Sequence, residues 1–359
     1  MRAPSPGAAR LSGLVWLTAA AAVVWAGQPV AIRDGAGAAV RSDAVAGVPS
    51  NRSLTLAGTR FAVAGQERFL IGVSLFDALG PAPPSDADLD QLAAWGVSLV
   101  RVWAHWSQPI YGRDGTLSAA GRERLERLVQ RLEARGLLLE LVLLRPGQLP
   151  GQAYAVFASP EARARAVGEI TRALSTRRNV LFDLYNEHDH RDGPISHAEA
   201  RALRDAVKAA DPARLVTLSS TEYHFMTAAG RVSAAGLINL REEVEVAGVD
   251  LVAAHLPRTG DWAAGASERV VQLRRALDRT KPGVPLYLSE ERRAEAGRAD
   301  LPAAAYVEAA VGSRAGGAAG WVFHTSAGYS LNRQSFLSAL NPEERRALET
   351  VASTVSRVR

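Results

Sequence analysis

From residue 54 onward the chain alternates between short apolar runs and longer amphipathic segments, and this alternation constrains the fold more than any other feature. Strands that alternate with helices in this way predict an α/β protein with a parallel sheet. The apolar runs of strand length are Phe69–Ser74, Val97–Trp103, Leu137–Leu144, Val180–Tyr185, Leu215–Ser219, Val249–Ala254, Pro285–Ser289 and Gly320–Phe323. Eight such units without a change of composition predict a single (β/α)8 TIM barrel.

An open doubly wound sheet is the alternative architecture for the same alternation. In that fold a glycine-rich, phosphate-binding turn follows the first strand. Residues 73–80, at the end of the first predicted strand, read Val-Ser-Leu-Phe-Asp-Ala-Leu-Gly and lack the G-x-G-x-x-G spacing. The barrel is therefore the favoured architecture.

Capping signals agree with the predicted helices. Ser85 with Asp88, and Ser196 with Glu199, have the spacing of capping boxes at helix N-termini. Ahead of the first barrel strand, Leu54–Val63 has the pattern of a short hairpin. We expect this N-terminal hairpin to plug the floor of the barrel.

The first 50 residues predict export from the cytoplasm. Two arginines in the first ten residues precede Leu11–Ala26, which is free of charge and largely apolar. A basic start before an apolar run is typical of a signal peptide, and an uncleaved membrane anchor is the other interpretation. We therefore expect residues 1–26 to be a signal peptide or anchor, 27–50 a linker, and 51–359 a barrel domain that is either secreted or tethered to a membrane.

Composition excludes several other kinds of site and partner. The chain has no cysteine, so disulfides and thiolate metal sites are excluded. Its formal net charge of +5 is spread along the sequence, without a basic run interleaved with aromatic residues. A nucleic acid is therefore not an expected partner.

Polar and aromatic residues stand at the ends of the predicted strands, where a parallel barrel places its functional groups. They are Asp77, Arg101, His105, Asn186, Glu187, Tyr223, His255, Glu290 and Trp321. Glu187 follows the fourth strand and Glu290 the seventh, so these two carboxylates are expected to face each other across the barrel mouth. Cleavage of a glycosidic bond needs such a pair, because one carboxyl protonates the leaving oxygen while the other attacks the anomeric carbon.

Residues 54–335 resemble clan A glycoside hydrolases and are most similar to family 5, the group that includes cellulases and mannanases. The motifs that carry the resemblance are Leu184-Tyr-Asn-Glu187, Pro285-Leu-Tyr-Leu-Ser-Glu290, Leu99-Val-Arg-Val-Trp103 and Gly320-Trp321. The resemblance implies a retaining glycosidase that acts on a β-linked oligo- or polysaccharide and needs no cofactor.

The resemblance also implies a role for each matching residue. Glu187 would be the acid/base and Glu290 the nucleophile. Asn186 would hold the 2-hydroxyl of the substrate, and Arg101 would orient the nucleophile and lower its pKa. A second glutamate, Glu291, follows Glu290 directly; we prefer Glu290 because the apolar lead-in ends there.

The sixth and eighth strands carry two further matches and one departure. His255 matches the family histidine on the sixth strand, and Trp321 matches the aromatic floor of the sugar site. Two residues after this histidine the family has a tyrosine that hydrogen-bonds the nucleophile, whereas this chain has Pro257. That hydrogen bond is then either lost or supplied by Tyr223 or Tyr287, and the chain is a divergent member.

Two other functions stay open. A barrel that binds a glycan without cleaving it is consistent with Pro257. A metal-dependent hydrolase could use His188, Asp189 and His190, but in such barrels a His-x-His motif follows the first strand. We therefore expect these three residues to lie in a solvated loop, and no metal is predicted.

Aromatic residues near the strand ends are candidates to stack on sugar rings through their apolar faces. They are Trp103, Trp106, Tyr111, Trp262 and Tyr329. We expect two or three of them to line the cleft and the others to pack in the core.

Overall fold

The computed structural model describes residues 53–145, 157–294 and 300–357. Its strands are β1 Leu54–Ala57, β2 Arg60–Val63, β3 Gln66–Arg68, β4 Leu70–Ser74, β5 Leu99–Trp103, β6 Leu138–Val142, β7 Val180–Asp183, β8 Val216–Thr217, β9 Ser219–Ser220, β10 Val252–His255, β11 Leu286–Glu290 and β12 Gly320–Phe323. β1, β2 and β3 form a small antiparallel sheet. The others form one parallel sheet in the order β8-β7-β6-β5-β4-β12-β11-β10-β9.

The fifth barrel strand is divided into two segments, β8 and β9, which are the two ends of this sheet order. β8 pairs with β7, and β9 pairs with β10. Only Leu218 separates β8 from β9, so the two segments are halves of one strand. The nine segments therefore close into an eight-stranded barrel within the described residues, which confirms the (β/α)8 TIM barrel.

The helices form the outer layer, and two of them begin at the capping boxes predicted from the sequence. They are α1 Asp86–Ala94, α2 Ala119–Ala134, α3 Pro160–Ala173, α4 His197–Ala210, α5 Ala234–Arg241, α6 Ala266–Thr280, α7 Ala303–Ala315, α8 Phe336–Ala339 and α9 Pro342–Ser356. Ser85 and Asp88 form the predicted capping box of α1, and Ser196 and Glu199 form that of α4. Each box satisfies backbone N–H groups that the first helical turn leaves unpaired.

The barrel interior is layered, apolar below and charged above. Leu99, Leu138 and Leu181 lie in a buried cluster inside the barrel. Side chains of a strand alternate between its two faces, so the residue two positions further along each strand points inward as well. These residues are Arg101, Glu140 and Asp183, and all three are fully buried. The apolar layer thus supports a charged layer just below the barrel mouth.

The N-terminal hairpin closes the opposite end of the barrel, as predicted. Leu54 and Phe61 belong to the apolar cluster inside the barrel. The ring of Phe61 meets that of Tyr287 edge to face, with centroids 5.7 Å apart. The hairpin therefore contributes apolar surface to the barrel core.

The sequence prediction did not include α8, and it left residues 220–248 without a helix. In the structure α5 begins after Ser233, which caps it, and continues into a π-helical segment, Glu242–Ala247. α5 buries only Gly236 and Leu240, so its sequence lacks the repeated apolar face by which a helix is recognised.

The predicted signal peptide or anchor and the linker, residues 1–50, lie outside the described residues and stay predictions. None of the helices in the described part of the chain combines the length and the apolar composition that a membrane crossing requires.

We expect Phe61→Ala to lower the free energy of unfolding by about 3–5 kcal/mol, because a fully buried ring is removed from the barrel core. Phe61→Leu, which keeps most of the apolar volume, should cost about 1 kcal/mol. Urea unfolding followed by circular dichroism measures both. An unchanged midpoint for Phe61→Ala would show that the hairpin does not stabilise the barrel.

Candidate active site

The segment after β7 presents Asn186 and Glu187 at the barrel mouth. Asn186 N–H donates to the Leu144 carbonyl at 2.9 Å, and Glu187 N–H donates to Ser219 Oγ at 3.3 Å. Glu187 has a φ of +48°, a left-handed conformation that is unfavourable for a side chain other than glycine. Such strain costs about 1–3 kcal/mol and is common at functional sites. The chain thus turns sharply to direct the Glu187 carboxylate over the mouth.

Arg101 is the centre of a buried charge network. Its Nε donates to Glu140 Oε1 at 3.0 Å, and its Nη1 donates to Glu290 Oε2 at 3.0 Å. Its Nη2 donates to Asp183 Oδ2 and to Asn186 Oδ1, both at 2.8 Å. The side chains of Arg101, Glu140 and Asp183 have no exposed surface. Arg101, on β5, therefore binds β6, β7, β11 and the segment after β7 through charge-assisted hydrogen bonds, which are stronger than neutral ones.

Two arginines and two histidines surround Glu290. Besides Arg101, Arg258 Nη2 and His324 Nε2 lie 3.3 Å and 3.1 Å from Glu290 Oε1. Burial by itself raises the pKa of the Glu290 carboxyl, but His324, His255 and the two arginines lower it by more. The pKa of Glu290 is therefore held well below its usual range, and the group is a carboxylate at neutral pH.

A β-bulge decides which of the two adjacent glutamates faces the mouth. Ala254 pairs with Leu288, but His255 pairs with Glu290, so Ser289 is an extra residue in β11. The bulge places Glu290 inside the barrel. Glu291 accepts a hydrogen bond from Trp321 Nε1 at 3.1 Å instead. Glu290 therefore faces Arg101 at the mouth, and Glu291 does not.

His255 lies between the two candidate catalytic carboxylates. Its Nδ1 is 3.3 Å from Glu187 Oε1, and its Nε2 is 3.7 Å from Glu290 Oε2. One oxygen of each carboxylate and one ring nitrogen all lie within 4.8 Å of one another. The Glu187 side chain is 26% exposed, against 8% for Glu290. The two carboxylates predicted from the sequence thus meet across the mouth in different surroundings.

Trp321 does not line the sugar site in this structure. Gly320 and Val322 on either side of it point into the barrel, where a Cβ at Gly320 would meet Leu70 and Tyr287. Trp321 therefore points outward, packs against the helical layer and is fully buried. This placement argues against the predicted stacking on a sugar ring, because no face of the indole is open to a ligand.

Neither of the two tyrosines considered from the sequence takes the place of the missing family tyrosine. Tyr287 is fully buried, and its hydroxyl donates to Glu140 Oε2 at 2.5 Å. Tyr223 is 48% exposed. Arg258, next to Pro257, and His324 are the groups that contact Glu290 Oε1 instead.

An aromatic cluster lies beside this mouth. Phe76 stacks on Trp103 with ring centroids 3.8 Å apart, and contacts Trp106, Tyr329 and the His324 ring. Of this cluster Tyr329 is only partly buried. The other two aromatic candidates belong to the core: Tyr111 donates to the Leu143 carbonyl, and Trp262 packs on Tyr306.

Sequence reasoning missed Arg258, His324 and Phe76. His324 directly follows β12, so the rule that selected the other strand-end residues applies to it as well. Arg258 lies three residues beyond β10 in a loop, and no strand-end rule selects it. Asp77 and His105 are buried; Asp77 accepts a hydrogen bond from the Ser107 backbone at 3.2 Å.

The three residues considered as metal ligands separate in the structure. His190 lies in a partly exposed loop, with its Nδ1 3.6 Å from Asp192. His188 is buried, and Asp189 contacts His224. The expectation of a solvated loop is therefore wrong for His188, whose side chain is 2% exposed.

Comparison with known proteins places this site in a family. The sequence model described as Cellulase (glycosyl hydrolase family 5) matches residues 61–249, slightly more than half of the chain. The match includes Arg101, Asn186 and Glu187 and ends before His255 and Glu290. No curated protein matches the chain in sequence.

Solved structures share the fold at low sequence identity. An exo-β-1,4-mannosidase from Opitutaceae bacterium strain TAV5 has a TM-score of 0.62 and 18% identity, over 85% of this chain and 62% of that one. A broad specificity endoglucanase from an uncultured bacterium has a TM-score of 0.60 and 14% identity, over 80% and 94%. An endo-1,4-β-D-mannanase from Thermotoga petrophila RKU-1 has a TM-score of 0.54 and 14% identity, over 72% and 88%.

Length differs among these structures. This chain spans 62% of the mannosidase and 56% of a similarly folded chain from Bacteroides vulgatus ATCC 8482.

The family match, the closed barrel and the pair of carboxylates at its mouth agree with one another. The chain belongs to glycosyl hydrolase family 5, a family of glycosidases.

Proposed function

We propose that this protein is a retaining glycosidase that cleaves β-linked glycans, with Glu187 as acid/base and Glu290 as nucleophile. The observation that carries the proposal is the approach of the two carboxylates, which have oxygens within 4.8 Å of each other. Retaining enzymes place these groups about 5–5.5 Å apart, whereas inverting enzymes leave about 6.5–9.5 Å for a water molecule. The short separation supports direct attack by one carboxylate.

In the first step a Glu290 oxygen attacks the anomeric carbon while the bond to the leaving oxygen breaks. Glu187 transfers its proton to that oxygen, so the aglycone departs as an alcohol and the sugar is held as a glycosyl ester. The histidines and arginines around Glu290 hold its pKa low, so that it is ionised for this attack. Arg101 orients it, because Arg101 is itself fixed by Glu140 and Asp183.

In the second step Glu187, now a carboxylate, takes a proton from water. The resulting hydroxide attacks the anomeric carbon, and the bond to Glu290 breaks. Glu187 is the more exposed of the two carboxyls, which fits a group that exchanges protons with entering water. Two inversions give net retention of configuration.

Asn186 and the aromatic cluster are suited to hold the sugar. Arg101 fixes the Oδ1 end of the Asn186 amide, which leaves the Nδ2 donor for the 2-hydroxyl of the substrate. The rings of Trp106, Tyr329 and His324 all contact Phe76, and His324 contacts Glu290. A pyranose ring could therefore rest on an aromatic face of this cluster. The solved neighbours named for mannan and glucan substrates support a β-linked mannoside or glucoside.

We expect Glu290→Gln to reduce kcat on aryl β-glucosides or β-mannosides by about 10⁴-fold or more, because the nucleophile is lost. Glu187→Gln should reduce kcat by about 10²–10⁴-fold on substrates with poor leaving groups. The matched control is Glu291→Gln, which changes the neighbouring residue and should keep activity. A screen over aryl glycosides, β-glucans and mannans selects the substrate.

Azide, added as an external nucleophile, distinguishes the acid/base from the catalytic nucleophile. In Glu187→Ala, azide should attack the glycosyl ester and give a product of retained configuration; in Glu290→Ala it should attack the substrate directly and give the inverted product. Full activity of Glu290→Gln, or the same azide product from both variants, would contradict these assignments. Glycan binding without cleavage by the unmutated protein would favour a binding barrel.

We expect Arg258→Met to move the acidic limb of the pH profile of kcat/KM to higher pH. Arg258 favours the ionised form of Glu290, so its removal raises the pKa of the nucleophile, and the active carboxylate is lost at a higher pH as the solution is acidified. Arg191→Met is the control, because the Arg191 side chain is 91% exposed. An unchanged acidic limb in Arg258→Met would show that this charge does not act on the nucleophile.

A further inference from the structure

A second group of ionisable side chains lies beside the active site and takes no part in the proposed reaction. His188, His197, His224 and Glu243 place one nitrogen or oxygen atom each within 4.8 Å of one another. We call these four residues the histidine cluster. His188 directly follows Glu187, whereas the other three come from α4, the loop after β9 and the π-helical segment.

The distances within the cluster match those between the ligands of a tetrahedral zinc ion. His188 Nε2 lies 3.3 Å from His224 Nε2 and 3.3 Å from Glu243 Oε1, and His224 Nε2 lies 3.5 Å from the same oxygen. Zinc binds imidazole nitrogen and carboxylate oxygen at about 2.0–2.2 Å, which sets neighbouring tetrahedral ligands about 3.3–3.5 Å apart. The three atoms therefore form a face of a tetrahedron of the right size.

The other ring nitrogen of each histidine is already engaged. His197 Nδ1 is 2.9 Å from Glu242 Oε2, and His224 Nδ1 is 3.1 Å from Asp189 Oδ2. His188 Nδ1 lies 3.4 Å from the Ile195 carbonyl. Acceptors at Nδ1 hold the proton there and leave the Nε2 lone pair for a metal, as is usual for metal-binding histidines.

The cluster also contains buried polar atoms that form no hydrogen bond of acceptable geometry within the described chain. Both oxygens of Glu243 are buried without a hydrogen-bond partner among the described residues, although two imidazole nitrogens lie within 3.5 Å of one of them. His197 Nε2 is likewise buried and without such a partner in the described part of the chain. A buried carboxylate in this state is costly, and a cation at the centre of the cluster would remove the cost.

We propose that the histidine cluster is a structural metal site that binds one Zn²⁺ through the Nε2 atoms of the three histidines and a Glu243 oxygen. Three nitrogens and one oxygen suit zinc or a similar transition ion, whereas Mg²⁺ and Ca²⁺ prefer oxygen ligands. Four protein ligands make a closed site, which is typical of a structural rather than a catalytic zinc. The site is independent of the glycosidase proposal.

The position of the site gives the metal a specific task. It would tie the strained segment of Glu187 and His188 to α4 and to the π-helical segment. π-helical turns often occur at functional sites. The π-helical segment here begins with Glu242, which contacts His197, and Glu243, which belongs to the cluster. Metal binding would therefore stabilise the segment that presents the acid/base.

Metal uptake tests the proposal directly. Tag-free protein is treated with a chelator, exposed to ZnCl₂, passed through a desalting column and analysed for metal by mass spectrometry. We expect one zinc per chain in the unmutated protein, and a rise of the melting temperature on zinc addition. Co²⁺ in place of Zn²⁺ should give the strong visible absorption of tetrahedral coordination.

Two matched substitutions locate the metal. His197→Asn should lose zinc and the melting shift; His197 is the most exposed histidine of the cluster, so this variant is the least prone to misfold. His190→Asn removes a nearby histidine outside the cluster and should retain both. Glu290→Gln should also retain zinc, which separates the cluster from the catalytic carboxylates.

Three results would overturn the proposal. They are zinc in the unmutated protein no higher than in the buffer blank, equal zinc in His197→Asn and the unmutated protein, or loss of zinc in Glu290→Gln. In the first case the cluster is held by shared protons instead of a metal. None of these results bears on glycosidase activity, so failure of this proposal leaves the assignment of Glu187 and Glu290 to its own test.

Discussion

The charge network of Arg101 is the interaction on which the mouth of this barrel depends. One fully buried guanidinium binds carboxylates on three strands, Glu140, Asp183 and Glu290, and fixes the amide of Asn186. Removing one partner of such a buried network leaves an uncompensated charge, which costs about 3–5 kcal/mol. Burial raises the pKa of Glu140 to about 7, although the Arg101 charge and the Tyr287 hydroxyl act to lower it. The network therefore holds Glu290 in place while leaving it ionised.

Much of this arrangement could be predicted from the sequence, because the strands and helices of a barrel have recognisable sequence patterns. Apolar runs of the right length and capping residues such as Ser85 and Ser196 specify the alternating elements. Once the strands are located, their C-terminal ends converge, and this brings Glu187 and Glu290 together although they lie 103 positions apart in the sequence. The contact of Arg101 with Glu290 was implied by the family resemblance, whereas Glu140 and Asp183 were not predicted as its partners.

The remainder depends on features that strand periodicity does not encode. The bulge at Ser289 decides that Glu290 and not Glu291 faces the mouth. Arg258 approaches the nucleophile from a loop. The histidine cluster includes Glu243, which lies in a helical segment that has no clear apolar face. The four residues of the cluster are therefore close to one another only after folding. These contacts depend on tertiary structure and have no local signal.

The central claim is that Glu290 forms a covalent bond to the sugar, and trapping that bond tests it most directly. A 2-deoxy-2-fluoro glycoside of glucose or mannose with a good leaving group slows both steps and lets the glycosyl ester accumulate. Proteolysis and mass spectrometry should then find one fluorosugar on Glu290. A label on Glu291, or turnover of the parent glycoside by the enzyme with inversion of configuration, would contradict the account.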